Sequence, residues 1–209
     1  MICHGIAKLR DSGIRDIVIV TSREALGSFA NILGSGRDWG VSLIYRVQEE
    51  AGGIAQALLL ARPIISPKEK FIVLLGDNML EESLRPYCEL FENQSDGAMV
   101  LLKKVSDPHR YGVPKLDETS KRIVLIEEKP ERPSSDYCVT GLYFYDSEVF
   151  ELIDGVKPSR RGELEITDVN NAYAQSGRLA YRKLEGWWTD AGTFESLEEA
   201  GRRLKGAIS

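Results

Sequence analysis

The feature that most constrains the fold is an apolar run that ends abruptly in Gly-Asp-Asn, at residues 71–78. Such a run predicts a strand buried on both faces, with Asp77 just past its carboxyl end. In open α/β sheets, ligands bind at that edge. An ionised carboxylate suits Mg²⁺, which takes one or two carboxylates together with phosphate oxygens of a substrate. A plain polar turn is the competing interpretation, and a second carboxylate has to decide between the two.

Composition and charge restrict the class of protein. With 209 residues, of which 43% are hydrophobic, the chain can bury one core, so we expect a single domain over residues 1–209. The net charge of −5 argues against nucleic-acid binding but permits a small phosphorylated substrate. Three scattered cysteines fit reduced thiols, and no apolar run reaches membrane-spanning length. We therefore expect a cytoplasmic protein that contacts no membrane.

Strand and helix patterns alternate along the chain. Apolar residues at helical spacing come first, and a buried strand follows at residues 17–21. The order then predicted is a helix ending near Gly34, a strand over 41–47, a helix over 54–61, the strand before Asp77, a helix over 84–91, strands over 98–103, 121–126 and 137–145, a helix over 163–174, a strand over 179–184 and a closing helix from 194. We interpret the strands on either side of the proline-bearing segment 127–133 as an insertion that covers the substrate.

Asp190 is the second carboxylate. A glycine that permits close backbone approach, Gly192, and a good helix N-cap, Thr193, follow it closely. Taken by itself, Asp190 can also be interpreted as a plain turn residue. Together with Asp77, however, it provides two acids at expected loop positions, which is the ligand set of a Mg²⁺ ion that bridges to a phosphate.

Two further segments carry binding chemistry. Gln48, with Gly52 and Gly53 before a helix, offers an amide for the edge of a pyrimidine base and bare backbone on which the base can lie. An exposed glutamine at a helix entry is an equally good interpretation. Lys129 could contact a phosphate and Glu128 a sugar hydroxyl, although neighbouring exposed charges are more often only solvated.

Seven motifs in one order resemble the glucose-1-phosphate thymidylyltransferases, a family of sugar-1-phosphate nucleotidyltransferases. They cover nearly the whole chain. They are Gln48 with Gly52-Gly53-Ile54-Ala55-Gln56-Ala57, Leu75-Gly76-Asp77-Asn78, Arg110-Tyr111-Gly112-Val113, Glu127-Glu128-Lys129-Pro130, Val139-Thr140-Gly141-Leu142-Tyr143, Arg161-Gly162-Glu163-Leu164-Glu165-Ile166-Thr167-Asp168 and Trp188-Thr189-Asp190-Ala191-Gly192-Thr193.

The resemblance implies a Rossmann-like three-layer α/β/α fold and the reaction of dTTP with glucose 1-phosphate to give dTDP-glucose and diphosphate, with UTP as the alternative nucleotide. It also implies a homo-oligomer that works in nucleotide-sugar supply, as in the dTDP-rhamnose pathway. Its site residues map by position: Asp77 and Asp190 hold Mg²⁺ and act in catalysis with Lys129, which binds the sugar phosphate; Gln48, Gly53 and Asp77 bind the nucleotide; Gly112, Glu128, Lys129, Val139 and Tyr143 bind the sugar.

The sequence departs from the family at its beginning. Family members start with a strand and a Gly-Gly-x-Gly-Thr-Arg loop that holds the triphosphate, and nothing here matches them. The resemblance therefore implies a domain truncated at its amino end, without the first central strand and with impaired turnover. A non-catalytic paralogue that binds nucleotide sugars is the alternative. A nucleotide-sugar glycosyltransferase would carry Asp-x-Asp, but Asn78 and Met79 follow Asp77.

Overall fold

A computed structural model describes residues 1–95, 97–117 and 119–206. The helices are α1 (Ile2–Asp11), α2 (Arg23–Leu33), α3 (Ile54–Leu59), α4 (Arg85–Asn93), α5 (Val149–Asp154), α6 (Ile166–Gln175) and α7 (Phe194–Gly206). The strands are β1 (Asp16–Ser22), β2 (Ser42–Gln48), β3 (Lys70–Leu74), β4 (Asn78–Leu80), β5 (Ala98–Lys104), β6 (Gly112–Asp117), β7 (Arg122–Glu128), β8 (Tyr137–Asp146), β9 (Leu179–Lys183) and β10 (Trp188–Asp190). None of the described helices is both long enough and apolar enough to cross a bilayer.

Four strands form the central sheet, in the order β3-β8-β5-β9. The strand β8 runs antiparallel to both β3 and β5, while β5 and β9 are parallel. Because β8 lies inside this sheet, its interpretation as part of a substrate-covering insertion is wrong. The antiparallel pair of β6 and β7 is a separate small sheet, and a proline within β6 is tolerated because that strand has one strand partner among the described residues.

Helices cover both faces of the central sheet. Successive residues of a strand point to opposite faces. On β5, Val100 and Leu102 accordingly pack in one core cluster with residues of α3, α5 and α6, whereas Met99 and Leu101 pack in another with Phe91 of α4. This arrangement is a three-layer α/β/α fold, as the family resemblance implied.

A gap separates β1 from β3. Among the described residues β1 pairs only with β2, in parallel, and β3 pairs only with β8. Both faces of β3 are covered as predicted, because Phe71 and Val73 pack against one core cluster and Ile72 and Leu74 against the other, but the four residues are only half-buried since they border the gap. The gap agrees with the expectation that a first central strand is missing.

Two short strands place the carboxylates. The sequence predicted a loop through residue 190, but β10 pairs antiparallel with β4 and sets Asp190 opposite Asn78. Asp77 does lie in a turn, directly after β3. A three-residue strand carries too short an alternation to be seen in sequence, which explains why β4 and β10 were missed.

Candidate active site

One cavity of about 1370 Å³ contains every residue to which the sequence analysis gave a binding or catalytic role. It opens at the carboxyl end of β3 and continues into the gap between β1 and β3. Among the many residues that line it are the nine predicted ones: Gln48, Gly53, Asp77, Gly112, Glu128, Lys129, Val139, Tyr143 and Asp190. Chain segments far apart in sequence thus meet at the sheet edge where α/β proteins bind ligands.

The two carboxylates approach one point in the cavity. The backbone N–H of Ala191 donates a 2.8 Å hydrogen bond to the carbonyl oxygen of Asp77, so the two chain segments are locked together. A methyl group built on Gly192 would lie 3.0 Å from Oδ1 of Asp190 and 3.7 Å from Oδ2 of Asp77. The absence of a side chain at Gly192 therefore leaves room beside both acids.

Asn78 holds this arrangement in place. Its Nδ2 donates to Oδ1 of Asp77 at 2.9 Å. Its own Oδ1 accepts from the backbone N–H of Gly141 and from Nε1 of Trp188, each at 2.8 Å. Because Asn78 is buried and joins β4, β8 and β10, it fixes the direction in which the Asp77 carboxylate points.

The donor set fits a magnesium ion. No group of three or more metal-ligating side chains occurs in the part of the chain that the structure describes. Mg²⁺ does not require one, because it keeps several waters and takes substrate phosphate oxygens as further ligands. Two carboxylates facing a common space are a sufficient protein contribution.

Glu128 is anchored in the cavity lining by a hydrogen bond from another element. The hydroxyl of Thr167, on α6, donates a 2.6 Å hydrogen bond to Oε2 of Glu128. A methyl group at Gly112 would lie 3.5 Å from the same carboxylate oxygen and 3.0 Å from Ile126. A side chain at Gly112 would therefore press on the site, which explains the glycine.

Lys129 leaves the end of β7 in an unusual conformation. Its φ is +44°, in the left-handed region that residues with a side chain rarely adopt. Its backbone N–H donates to the carbonyl oxygen of Tyr111 at 3.0 Å, and its Nζ lies 3.9 Å from Oε1 of Glu128. The turn thus directs a cation and an anion into the same part of the cavity.

Gln48 and Gly53 form a second polar corner. Nε2 of Gln48 donates to the carbonyl oxygen of Gly53 at 3.2 Å and to Oε1 of Gln56 at 2.8 Å. Gly53 has φ +94°, and a side chain there would meet the carbonyl oxygen of Leu164 at 2.5 Å. Both donors of the Gln48 amide are engaged, so its carbonyl oxygen is the group available to a ligand.

Tyr143 lies in the floor of the cavity, on β8. Burial raises the pKa of its hydroxyl far above the usual value, and the nearby carboxylates of Glu128 and Asp77 act in the same direction. The hydroxyl therefore stays protonated at any physiological pH and can donate a hydrogen bond. Val139, on the same strand, contributes an apolar part of the lining.

Sequence reasoning missed three residues of this site. It gave no role to Asn78 or Thr167, whose contacts cross between elements distant in sequence. It also gave none to Arg161, which lines the cavity and whose guanidinium contacts Glu165 at 2.9 Å. All three residues stand inside the motifs quoted above, so motif membership was the one available signal.

Comparisons with known proteins agree with this geometry. A family model described as nucleotidyl transferase matches residues 1–206. A glucose-1-phosphate thymidylyltransferase from Neisseria meningitidis serogroup A is 42% identical over 203 residues, which are 96% of this chain and 70% of that protein. A relative of the same name from Xanthomonas campestris pv. campestris is also 42% identical, over 98% of this chain and 70% of its own.

Solved structures show the same fold. A crystal structure from Bacillus anthracis, described as a glucose-1-phosphate thymidylyltransferase in complex with a sucrose, superposes with a TM-score of 0.91 at 50% identity, over 97% of this chain and 81% of that one. A UDP-glucose pyrophosphorylase complexed with UDP-glucose superposes with a TM-score of 0.85. It covers 99% of this chain and 86% of its own, but at 24% identity it supports the fold alone.

Proposed function

The chain belongs to the nucleotidyl transferase family, among the glucose-1-phosphate thymidylyltransferases, and we propose that it transfers a thymidylyl group from dTTP to glucose 1-phosphate. The products are dTDP-glucose and diphosphate. The observation that carries the proposal is the convergence of nine residues, spread from Gln48 to Asp190, on one cavity.

The base lies at the corner made by Gln48 and Gly53. The free carbonyl oxygen of the Gln48 amide accepts from the imide N–H of thymine, which uracil also carries. The bare backbone at Gly53 lets the base approach closely. These contacts select a pyrimidine with an imide, and the names of the relatives favour dTTP over UTP.

The sugar phosphate lies in the part of the cavity lined by Glu128, Lys129 and Tyr143. Glu128, fixed by Thr167, accepts hydrogen bonds from sugar hydroxyls, and the protonated hydroxyl of Tyr143 donates one. Lys129 pairs with the phosphate and Arg161 adds a second positive charge near it. The exposed pairing of Lys129 with Glu128, at 3.9 Å, is loose enough to give way to a phosphate.

Transfer needs alignment and charge stabilisation rather than a covalent intermediate. Lys129 orients a phosphate oxygen of glucose 1-phosphate toward the α-phosphorus of dTTP, in line with the departing diphosphate. Asp77 and Asp190 would hold Mg²⁺, which supplies positive charge to the phosphate oxygens when bound. Asn78 keeps Asp77 aimed at that position.

A second function is favoured by one observation. The gap between β1 and β3 opens directly beside Asp77, so the part of the site that faces a triphosphate has fewer walls than the sugar part. A chain whose site is open on the triphosphate side would bind a nucleotide sugar without catalysing its formation.

One experiment separates the two functions. The purified chain is given dTTP, glucose 1-phosphate and Mg²⁺, and diphosphate release is measured against the Asp77→Asn/Asp190→Asn double variant. Release above the variant's background, lower with UTP and lowest with ATP, supports the transferase. Binding of dTDP-glucose without release above that background supports the non-catalytic function. If the chain neither releases diphosphate nor binds dTDP-glucose, both functions are contradicted.

Three wider proposals accompany the activity. We propose that residues 1–209 form one domain, because the family model spans residues 1–206 and one cavity draws on both halves of the chain. Three free cysteines favour a reducing, cytoplasmic setting. Apolar side chains such as Phe194, which is 94% exposed, favour association with a second copy.

A further inference from the structure

The side chain of Gln56 lies behind the polar corner that Gln48 and Gly53 form in the cavity. Its Oε1 accepts a hydrogen bond from Nε2 of Gln48 at 2.8 Å, which is shorter than the 3.2 Å bond from the same nitrogen to the carbonyl oxygen of Gly53. Gln48 and Gly53 line the cavity, and Gln56 is not among the described residues that do so. Gln56 is therefore placed to act on a bound base through Gln48 rather than by touching the base.

The local backbone holds the Gln56 amide in this place. Gln56 is the third residue of α3, and the side chains of a helix lean toward its amino end, which brings the amide back over Gly52. A methyl group at Gly52 would collide with that amide. The backbone of Gly52 is itself anchored, because its carbonyl oxygen accepts a 2.8 Å hydrogen bond from the N–H of Leu164. The glycine thus provides the space that the Gln56 amide occupies beside Gln48.

The hydrogen bond to Gln56 fixes which end of the Gln48 amide a base meets. The last torsion angle of a glutamine is broad and roughly two-fold, so an amide without fixed partners can turn over and exchange its oxygen with its NH₂ group. An acceptor at Gln56 engages the NH₂ group and leaves the Gln48 oxygen as the group available to a base. Thymine and uracil carry an N–H donor at N3, whereas cytosine carries a lone pair there. The Gln48 oxygen therefore pairs with the first two bases and repels N3 of cytosine.

We propose that Gln56 is a positioning residue that makes the site select pyrimidines with an imide N–H over cytosine, by holding the Gln48 amide in one orientation. Since the Gln48 corner is the base site only under the proposed function, this role of Gln56 rests on that function. Selectivity for the base then belongs to a pair of amides and to the glycine that makes room for them, not to Gln48 alone. Without Gln56 as an acceptor, the Gln48 amide turns over and offers its NH₂ group to N3 of cytosine.

The test compares UDP-glucose with CDP-glucose, which differ only at the N3 and C4 edge of the base. Calorimetry in the presence of Mg²⁺ measures both dissociation constants for the wild type and for three variants. Gln56→Met keeps the length of the side chain but removes the acceptor, and Gly52→Ala leaves Gln56 in the chain but pushes its amide away from Gln48. Gln56→Glu is the conservative control, because an ionised carboxylate accepts hydrogen bonds as the native amide oxygen does.

The wild type should bind UDP-glucose at least about tenfold more tightly than CDP-glucose, because cytosine leaves the Gln48 oxygen without its N3 donor. Gln56→Met and Gly52→Ala should each reduce this ratio to about threefold or less, and Gln56→Glu should keep it. A general loss of packing would weaken both ligands alike and leave the ratio unchanged.

The ratio of the two affinities decides the role of Gln56. An unchanged ratio in Gln56→Met or in Gly52→Ala, or a ratio lost in Gln56→Glu, overturns that role and leaves the proposed function standing. Equal affinity of the wild type for the two nucleotide sugars also overturns it. A wild-type chain that binds neither dTDP-glucose nor UDP-glucose overturns the proposed function, and the role of Gln56 with it.

Discussion

Replacing Asn78 with alanine tests how the metal site is held together. The substitution removes three hydrogen bonds, to Asp77, Gly141 and Trp188, from a side chain that is only 5% exposed. A hydrogen bond contributes about 1 kcal/mol net, and each buried donor left unpaired costs about 1–3 kcal/mol. We therefore expect Asn78→Ala to lower the free energy of unfolding by about 3–5 kcal/mol, measured by urea denaturation.

The same variant should also weaken metal binding. Loss of a group that orients a metal ligand typically costs about 10- to 100-fold in affinity. We expect a loss of that size for Mn²⁺, used as a paramagnetic probe of the Mg²⁺ position and titrated by electron paramagnetic resonance below the variant's unfolding transition.

Asn171→Ala is the matched control. The Asn171 amide makes two hydrogen bonds to the backbone of Ile126, at 2.7 and 2.9 Å, and joins α6 to β7 away from the acids. It should cost about 2 kcal/mol of stability and leave Mn²⁺ affinity unchanged. Asn78 does not hold the metal site together if Asn78→Ala costs less than about 1 kcal/mol, or if both variants bind Mn²⁺ equally well.

Three other expected outcomes follow from local geometry. Gly53→Ala should lower the melting temperature, because the φ of Gly53 is +94° and the new methyl would meet a carbonyl oxygen at 2.5 Å. Gly27→Ala, in a helix with open space around it, should raise stability by about 0.5–1 kcal/mol. Melting temperatures that shift in the same direction by similar amounts in both variants would contradict this. Thr167→Val removes the hydrogen bond to Glu128, so calorimetry should show glucose 1-phosphate binding about tenfold weaker with dTDP binding unchanged. Equal losses of affinity for the two ligands would contradict a role of Thr167 in the sugar part of the site. Burial raises the pKa of Cys138 to about 12, so its thiolate fraction grows only toward strongly alkaline pH and iodoacetamide should not label it at pH 8, as mapped by mass spectrometry; rapid labelling of folded protein would contradict its burial.

The central sheet was predictable because its signals are local. Strands such as Ala98–Lys104 and Tyr137–Asp146 are long apolar runs. The helices that cover the sheet show a clear 3.6-residue period of apolar residues. What failed was the position of β8: a strand next to a proline-bearing loop appeared to belong to an insertion, but long-range pairing with β3 and β5 places it centrally. Pairing partners of this kind leave no trace in a single sequence.

The sequence predicted the residues that line the candidate site but not the residues that hold them in position. Asp77 and Asp190 stand out because acids follow apolar segments, yet the contact between their segments depends on a three-residue strand pair. Asn78 and Thr167 act through partners 63 and 39 residues away, respectively, at Gly141 and Glu128. Such positioning roles depend on tertiary geometry, which no local pattern encodes.

A thymidine nucleotide sugar is expected to bind in this one cavity. The decisive measurement is calorimetric titration of dTDP-glucose into the purified chain in the presence of Mg²⁺. We expect saturable binding at one site, weakened about tenfold or more by Gln48→Ala, with ADP-glucose giving no comparable binding. Absence of saturable binding, or equal affinity for ADP-glucose, would contradict the assignment of this cavity.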